Sequence, residues 1–389
     1  MLQLMHVFLS EKWQITYAST ALKSNHAFDL TTLGIDSTSI ELNQSSFDDF
    51  LVDLQPNIVL FDRFMMEEQF GWRVAEILPD TLRILDTEDL HCLRKAREIA
   101  LKKDRLFCET DILKTDIAKR EIASILRCDL SLIISLYEMK ILKNLFNIRA
   151  NLLHHIPFLL DNISDKEIGK LPRFEQREHF YFIGNFLHKP NYDTVLYLKK
   201  EIWPLILKQL PKAELHIFGA YPSQKIEQLN NLKEHFIIKG KLENLTDLKN
   251  YKICLAPLRF GAGIKGKLTE AMQFGTPSIT TSIGAESMHA DLEWNGFIKN
   301  TILEIVADSI QLYANKEIWN TAQQNGFNIL NSLYNKHLYT DKLIKEITKT
   351  MSNLEQHRAT NFLGELLQHH TLKSTKYLSK WIEEKNKKL

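Results

Sequence analysis

The residues best suited to chemistry lie in APLRFGAGIKGKLTEAMQFGTPSITTSIGAES, residues 256–287. A strand pattern ends at Pro257, a glycine-rich loop follows, and the spacing predicts a helix from about Gly266 or Lys267 up to Gly275. Gly275 lacks a Cβ and suits the left-handed position after a helix, and Pro277 opens the next strand. Gly261, Gly263 and Gly266 let the backbone come close to a ligand, and a helix N-terminus presents unpaired N–H groups to an anion. Lys265 and Lys267 add point charges at the same place, which suits a diphosphate. Glu270 is expected in the helix's first turn, where a carboxylate can accept hydrogen bonds from ribose hydroxyls. The same residue types also suit a solvated Gly-Lys loop with Glu270 as a helix-end charge.

Such a loop needs strands to hold it, and the pattern supplies them. Strand-like runs occur at 13–19, 38–42, 57–62, 81–85, 129–135 and 151–157, with helical spacing at 46–55, 65–78 and 92–105. Strands alternating with helices predict an α/β fold with a parallel sheet covered on both faces. The polar segment Ile163 to Glu178 reads as an interdomain linker. Beyond it the alternation repeats: strands HFYFIG, AELHIFG, FIIKG, YKICLAP and PSITTS, and helices at 193–209 (with Pro204 as a kink), SQKIEQLNNL, 245–250 and 267–274. After about Leu303 the pattern is all helix. The expected domains are 1–162, 175–340 and a helical tail, 341–389. The chain opens inside a helical pattern, MLQLMHVFLSEKW, so either the first domain dispenses with its opening strand or, as favoured here, that strand lies upstream of Met1.

Composition narrows the class. The 389 residues are 44% hydrophobic and 25% charged, an ordinary globular balance. Lys and Arg number 49 against 48 Asp and Glu, which excludes a chain-wide nucleic-acid polycation and leaves room only for a local basic patch. No apolar run approaches the ~18–20 residues that span a bilayer, and no secretory signal opens the chain, so a cytoplasmic location is expected. Cys92, Cys108, Cys128 and Cys254 form no CxxC pair and read as reduced packing residues.

The 256–287 stretch resembles the donor-binding segment of GT-B glycosyltransferases, in particular the family-4-like pattern G-x-G-x-K-x-K-x-x-E-A-M-x-x-G-x-P. The resemblance extends over FIGNFLHKPNYDTVLYLKKEIWP at 182–204 and LHIFGAYP at 215–222, and more weakly over RILDTEDLHCLRKARE at 83–98. It implies the GT-B fold: two Rossmann-like domains facing across a cleft, the first on the acceptor side, the second holding a nucleotide-sugar, and a last helix crossing back to the first. That helix offers an apolar stripe of Phe362, Leu363, Leu366 and Leu367. Many members carry two glutamates separated by seven residues. The first is missing here, its place taken by Ala262 or, with a gap, Phe260, as expected of a lysine-rich subgroup.

The resemblance further implies roles. Glu270 binds the nucleotide ribose, and Lys265 and Lys267 neutralise the diphosphate leaving group and so count as catalytic. Gly261 and Gly263 cradle the donor, together with Gly184 and Lys189 in the loop that also holds Asn185 and His188. His188–Lys189 reads equally as an exposed turn before Pro190. His91 either contacts the transferred sugar and assists proton movement, or is a helix-start histidine bonded to Asp86 or Asp89. Glu286 either approaches the sugar or caps the following helix; His154 and His155 read as structural. No metal is implied, and no cofactor beyond the nucleotide-sugar as co-substrate; Asp86 and Glu88 read as a turn. The implied activity is retaining transfer of a hexosyl group to a glycan or lipid-linked acceptor, as in polysaccharide biosynthesis, with the leaving phosphate taking the acceptor's proton. A sugar-nucleotide epimerase and a non-catalytic partner subunit are the other readings. The lysine-rich end, with Tyr377 and Trp381 interleaved, suits an anionic membrane surface at the inner face or a solvated helix end.

Overall fold

A computed structural model of the chain describes residues 1–22 and 27–387, without the side chains of 370–373. Two compact units form: Met1–Cys92 with Glu109–Leu159 and His337–Leu389, and Leu93–Cys108 with Leu160–Lys336. In the first, β1 (Thr16–Ser19) and β2 (Asp36–Ser39) pair in parallel as a small sheet. A second parallel sheet runs in sequence order through β3 (Ile58–Asp62), β4 (Leu82–Asp86), β5 (Leu130–Ile133) and β6 (Leu153–His155). Its central strands are buried along their whole length, with Arg83, Asp86 and Ser131 buried among the apolar residues.

The two ends of the chain complete this core. Leu4 and Val7 of helix Leu2–Ser10 pack with Leu82, Ile84, Leu130 and Leu132, and so do Leu343 and Ile347 of helix Thr340–Ser352. The tail expected as a separate segment, 341–389, is therefore part of the first unit. Helix Phe362–Asn386 packs on helices Phe64–Ile77 and Asp116–Arg127, as the resemblance implied for the last helix. It does so by another face than expected: Phe362 is 73% exposed and Leu363 61%. Contact is made instead at Gly364, where a Cβ would lie 2.1 Å from the Leu126 carbonyl oxygen. Farther along, Ser379 and Glu383 meet the buried Arg73 guanidinium at 3.3 and 3.8 Å.

The second unit holds six parallel strands in the order β12-β11-β10-β7-β8-β9. They are β7 (Glu178–Ile183), β8 (Leu215–Phe218), β9 (Phe236–Gly240), β10 (Tyr251–Ala256), β11 (Ser278–Thr280) and β12 (Gly296–Ile298). The chain runs outward from β7 to β9, returns to pair β10 with β7, and continues the other way. The carboxyl ends of β7 and β10 are thus a topological switch point, where open α/β sheets leave a crevice for ligands.

Several expectations shift. Helix Asp116–Arg127 was not legible because its buried face includes Glu121 and Ser124, polar residues that interrupt the apolar period. β12 is a three-residue edge strand, too short to register. The helix expected over 193–209 is split into Lys189–Tyr197, a wide π turn at Leu198–Ile202 and Trp203–Gln209. Pro204, without an N–H, cannot close the ordinary bond and the ladder widens before it. SQKIEQLNNL keeps one turn, Gln224–Glu227. The chain passes between units at Leu159/Leu160 and Lys336/His337, with Leu93–Cys108 as a further excursion. Residues 163–178 are accordingly not a linker. Ile163 is pinned by the Asn331 amide at 2.9 and 3.0 Å, and the buried Arg177 guanidinium bonds Pro172, Phe274 and Thr276.

Candidate functional site

A cavity of about 290 Å3 opens at the carboxyl ends of β7, β8 and β9. Ile183, Gly184 and Asn185 line it from the end of β7, Gly219 and Ala220 from β8, Lys241, Leu242 and Leu245 from β9, and Lys267 and Glu270 from helix Gly266–Gln273. Two glycines let these loops meet. A Cβ on Gly219 would fall 2.3 Å from the Gly184 carbonyl oxygen, and one on Gly184 would fall 2.6 Å from the Asn191 carboxamide.

The loop from β10 delivers the helix N-terminus. Lys265 is its N-cap residue in extended conformation, and no side chain caps the helix, so its first amides have no intrahelical partner. Lys265 is 6% exposed, and its Nζ donates to the Gly263 carbonyl oxygen at 2.7 Å. Gly263 takes φ +64°, a left-handed conformation in which glycine carries no strain. A Cβ on Gly261 would meet only Lys265 Cε, at an ordinary contact distance of 3.7 Å, so no packing requires glycine at this buried position.

Lys267 Nζ donates to Asn191 Oδ1 at 2.7 Å and lies 5.0 Å over the Phe182 ring. Burial pushes its ammonium down to about 8 because a desolvated charge is costly. Burial raises the Glu270 carboxyl, and the charge of Lys267 pulls it back. Glu270 lies one turn inside the helix, not in the first turn as expected, because the helix already begins at Gly266. From there it still lines the cavity.

Beside this loop, Arg97 binds Glu286 through two bonds of 2.9 and 2.6 Å and donates a third, of 2.9 Å, to the Gly261 carbonyl oxygen. Glu286 is thus held by a guanidinium, and it stands at the C-cap of the one-turn helix Ser282–Ala285 rather than capping a following helix. Lys189 is exposed, with Nζ 3.7 Å from the buried Glu98 carboxylate.

Residues 177–315 match the family model of glycosyl transferases group 1. Solved structures agree on the fold. Sucrose-phosphate synthase from Thermosynechococcus elongatus is 15% identical with a TM-score of 0.66, covering 90% of this chain and 92% of its own. HepE of Anabaena, solved with UDP and glucose, is 12% identical with a TM-score of 0.62 over 89% and 95%. TarM from S. aureus, solved with fondaparinux, alpha-GlcNAc-glycerol and UDP, is 15% identical with a TM-score of 0.59 over 78% of this chain; the chain spans 58% of TarM. The fold is GT-B, with two Rossmann-like units. No curated protein sequence matches the chain.

The group 1 segment contains Gly184, Lys189, Gly261, Gly263, Lys265, Lys267, Glu270 and Glu286, of which Gly184, Lys267 and Glu270 line the cavity. His91 lies outside the segment, in the first unit. Its Nε2 is 3.4 Å from Asp89, its ring meets Phe64 edge-on, and its N–H and that of Cys92 are taken by the buried Glu121 carboxylate at 2.9 and 2.8 Å. Burial pushes that carboxyl up to about 7. His154 and His155 sit on β6, and burial lowers both, His155 to about 4. Cys92, Cys128 and Cys254 are buried, but Cys108 is exposed and so is not the packing residue expected, since it lies in the irregular stretch 106–108 between helices.

Asn191, Arg97 and Lys241 were not foreseen. Asn191 sits in the first turn of the helix that begins at Lys189, and nothing in the sequence marks its bond to Lys267, 76 positions away. Arg97 is one cation among many on the amphipathic helix His91–Lys102. Among the described residues, no three His, Cys, Asp or Glu side chains gather as metal ligands, and no helix is long and apolar enough to cross a membrane.

Proposed function

We propose that the protein is a glycosyltransferase of the lysine-rich kind, moving a hexosyl group from a nucleoside-diphosphate sugar to a glycan or lipid-linked acceptor. The observation that carries this is the convergence of Lys267 and Glu270 on the Gly184 loop at the switch point of the second sheet. The diphosphate lies against the uncapped helix N-terminus and Lys265 and Lys267, and Glu270 takes the ribose hydroxyls. Negative charge grows on the diphosphate as the glycosidic bond breaks. Cations already fixed in a poorly hydrated site lower the cost of that charge without reorganising. Configuration is retained, the departing phosphate oxygen accepts the acceptor's proton, and no metal is needed. His91 holds its sugar or proton role by resemblance alone. Exposed Tyr377, Leu378 and Trp381, with Lys380 and Lys385 nearby, support a peripheral membrane contact; Lys388 of the lysine-rich end lies outside the described residues.

The test is release of nucleoside diphosphate from a panel of UDP-, GDP- and ADP-sugars by the full chain. One donor is cleaved, and Lys265→Ala and Lys267→Ala each lower turnover at least ~10-fold, about 1.4 kcal/mol in the barrier. Cleavage of no donor by the folded protein, with or without glycan acceptors, contradicts the proposal.

A further inference from the structure

The second unit contains a short piece of chain from far upstream, Leu93–Cys108, whose contacts fall on the loop that the donor reading depends on. Arg97 is 5% exposed, so its charge is buried among protein groups. Its Nη1 donates to the Gly261 carbonyl oxygen at 2.9 Å and to Glu286 Oε2 at 2.9 Å, and its Nη2 to Glu286 Oε1 at 2.6 Å. The guanidinium carbon lies 5.2 Å from the centre of the Phe107 ring, which fixes the plane of the fork from the same excursion.

We infer that Arg97 is a positioning residue for the donor site, holding the 257–265 loop in its ligand-ready shape through the Gly261 carbonyl and Glu286; this rests on the donor reading above. Gly261 is buried but has no side chain of its own to anchor it. A glycine-rich loop of that kind is conformationally costly to hold in one shape. Two glycine carbonyls of the loop are held by cations, Gly261 by Arg97 and Gly263 by Lys265 Nζ, while Thr281 bonds the Leu258 carbonyl and Asp193 pairs with Arg259. With both glycine carbonyls turned to cations, the loop is kept in register with the helix N-terminus that follows it. Glu286 then serves as the orienting partner of Arg97. Its two oxygens match the planar fork of a guanidinium, which an ammonium cannot satisfy in the same way.

The test compares Arg97→Lys, Arg97→Ala and Glu286→Gln in the full chain. Amide hydrogen exchange of residues 261–267 is read without ligand, beside melting temperature and calorimetric affinity for UDP, GDP and ADP. The inference expects faster exchange confined to this loop in all three variants, and affinity for the bound nucleotide at least 10-fold weaker. Glu286→Gln and Arg97→Lys, the milder changes, should keep a melting temperature close to wild type. Unchanged loop exchange in a folded variant overturns the inference, as does a lowered melting temperature with unaltered affinity. Because exchange is read without ligand, a wild-type chain that binds no nucleotide would sink the donor reading, while the restraint on the loop would still be decided by exchange.

Discussion

Lys267 and Asn191 hold each other beside the cavity, Nζ to Oδ1 at 2.7 Å, while the same carboxamide donates from Nδ2 to the Asn185 carbonyl oxygen at 2.9 Å. One buried amide therefore ties the cation from the β10 side of the switch point to the loop after β7. The site's geometry depends on that tie, because a lysine has a long flexible stem and does not orient itself.

Asn191→Leu removes both bonds at similar volume. It leaves Lys267 and the Asn185 carbonyl unsatisfied, a cost of about 1–3 kcal/mol for buried groups. Nucleotide affinity should fall about tenfold by calorimetry. Equal affinity would show that Lys267 orients without its partner.

The Lys267 ammonium gives the site an alkaline limit. Burial holds it at about 8, against about 10.4 in an unfolded chain. Above pH 8 the free site carries neutral Lys267, and an incoming diphosphate draws the proton back. Binding should therefore take up protons at pH 8.5–9 and weaken as pH rises. Calorimetry in buffers of different ionisation heat reads that uptake, and Lys267→Arg should abolish it. Zero uptake at pH 9 contradicts the assignment.

Gly219→Ala places a methyl 2.3 Å from the Gly184 carbonyl oxygen, which is backbone and cannot swing away. The loops after β7 and β8 must part, at a cost typical of overpacking, about 1–3 kcal/mol. Both melting temperature and nucleotide affinity should drop. A variant with wild-type values in both would mean that the loops are farther apart than described.

His155 reports on the first unit. Burial holds its imidazole at about 4, against about 6.5 unfolded. The unfolded chain therefore binds a proton between those values and the folded chain does not, so this residue's contribution to stability is lost as pH falls from 6.5 and levels off near 4. Asp86 and Glu121, which burial raises to about 7, act in the opposite sense over much the same range. The difference between wild type and His155→Gln isolates the histidine. Wild type should lose more stability than the variant between pH 6.5 and 4.5, and its ring should titrate near 4 by NMR. Titration near 6.5 would contradict the burial.

Much of this site can be read from residue order, because the strands that carry it are buried on both faces and punctuated by glycine and proline. YKICLAP, the glycines and the helix to Gly275 lie within a residue or two of their expected places. What sequence could not show is which distant side chains hold the loop. Arg97 reaches Gly261 across 164 positions, and nothing in an amphipathic helix marks one arginine of several for that contact. Glu270 falls just past the first turn, although the helix begins at Gly266 as expected, because it is the fifth residue from that start. The last helix was given the wrong packing face because Gly364, which allows the close approach, has no apolar side chain to count.

The central claim is that Lys267 and Glu270 belong to a nucleoside-diphosphate site, and Glu270→Gln tests it most directly. Gln keeps size and an acceptor oxygen but loses the charge, and charge-assisted hydrogen bonds are roughly twice as strong as neutral ones. In calorimetric titration of the full chain with UDP, GDP and ADP, one nucleotide should bind wild type, and Glu270→Gln should bind it about 1–2 kcal/mol more weakly at an unchanged melting temperature. Equal affinity in the two proteins would make Glu270 a helix charge, and binding of no nucleotide by the folded wild type would contradict the account as a whole.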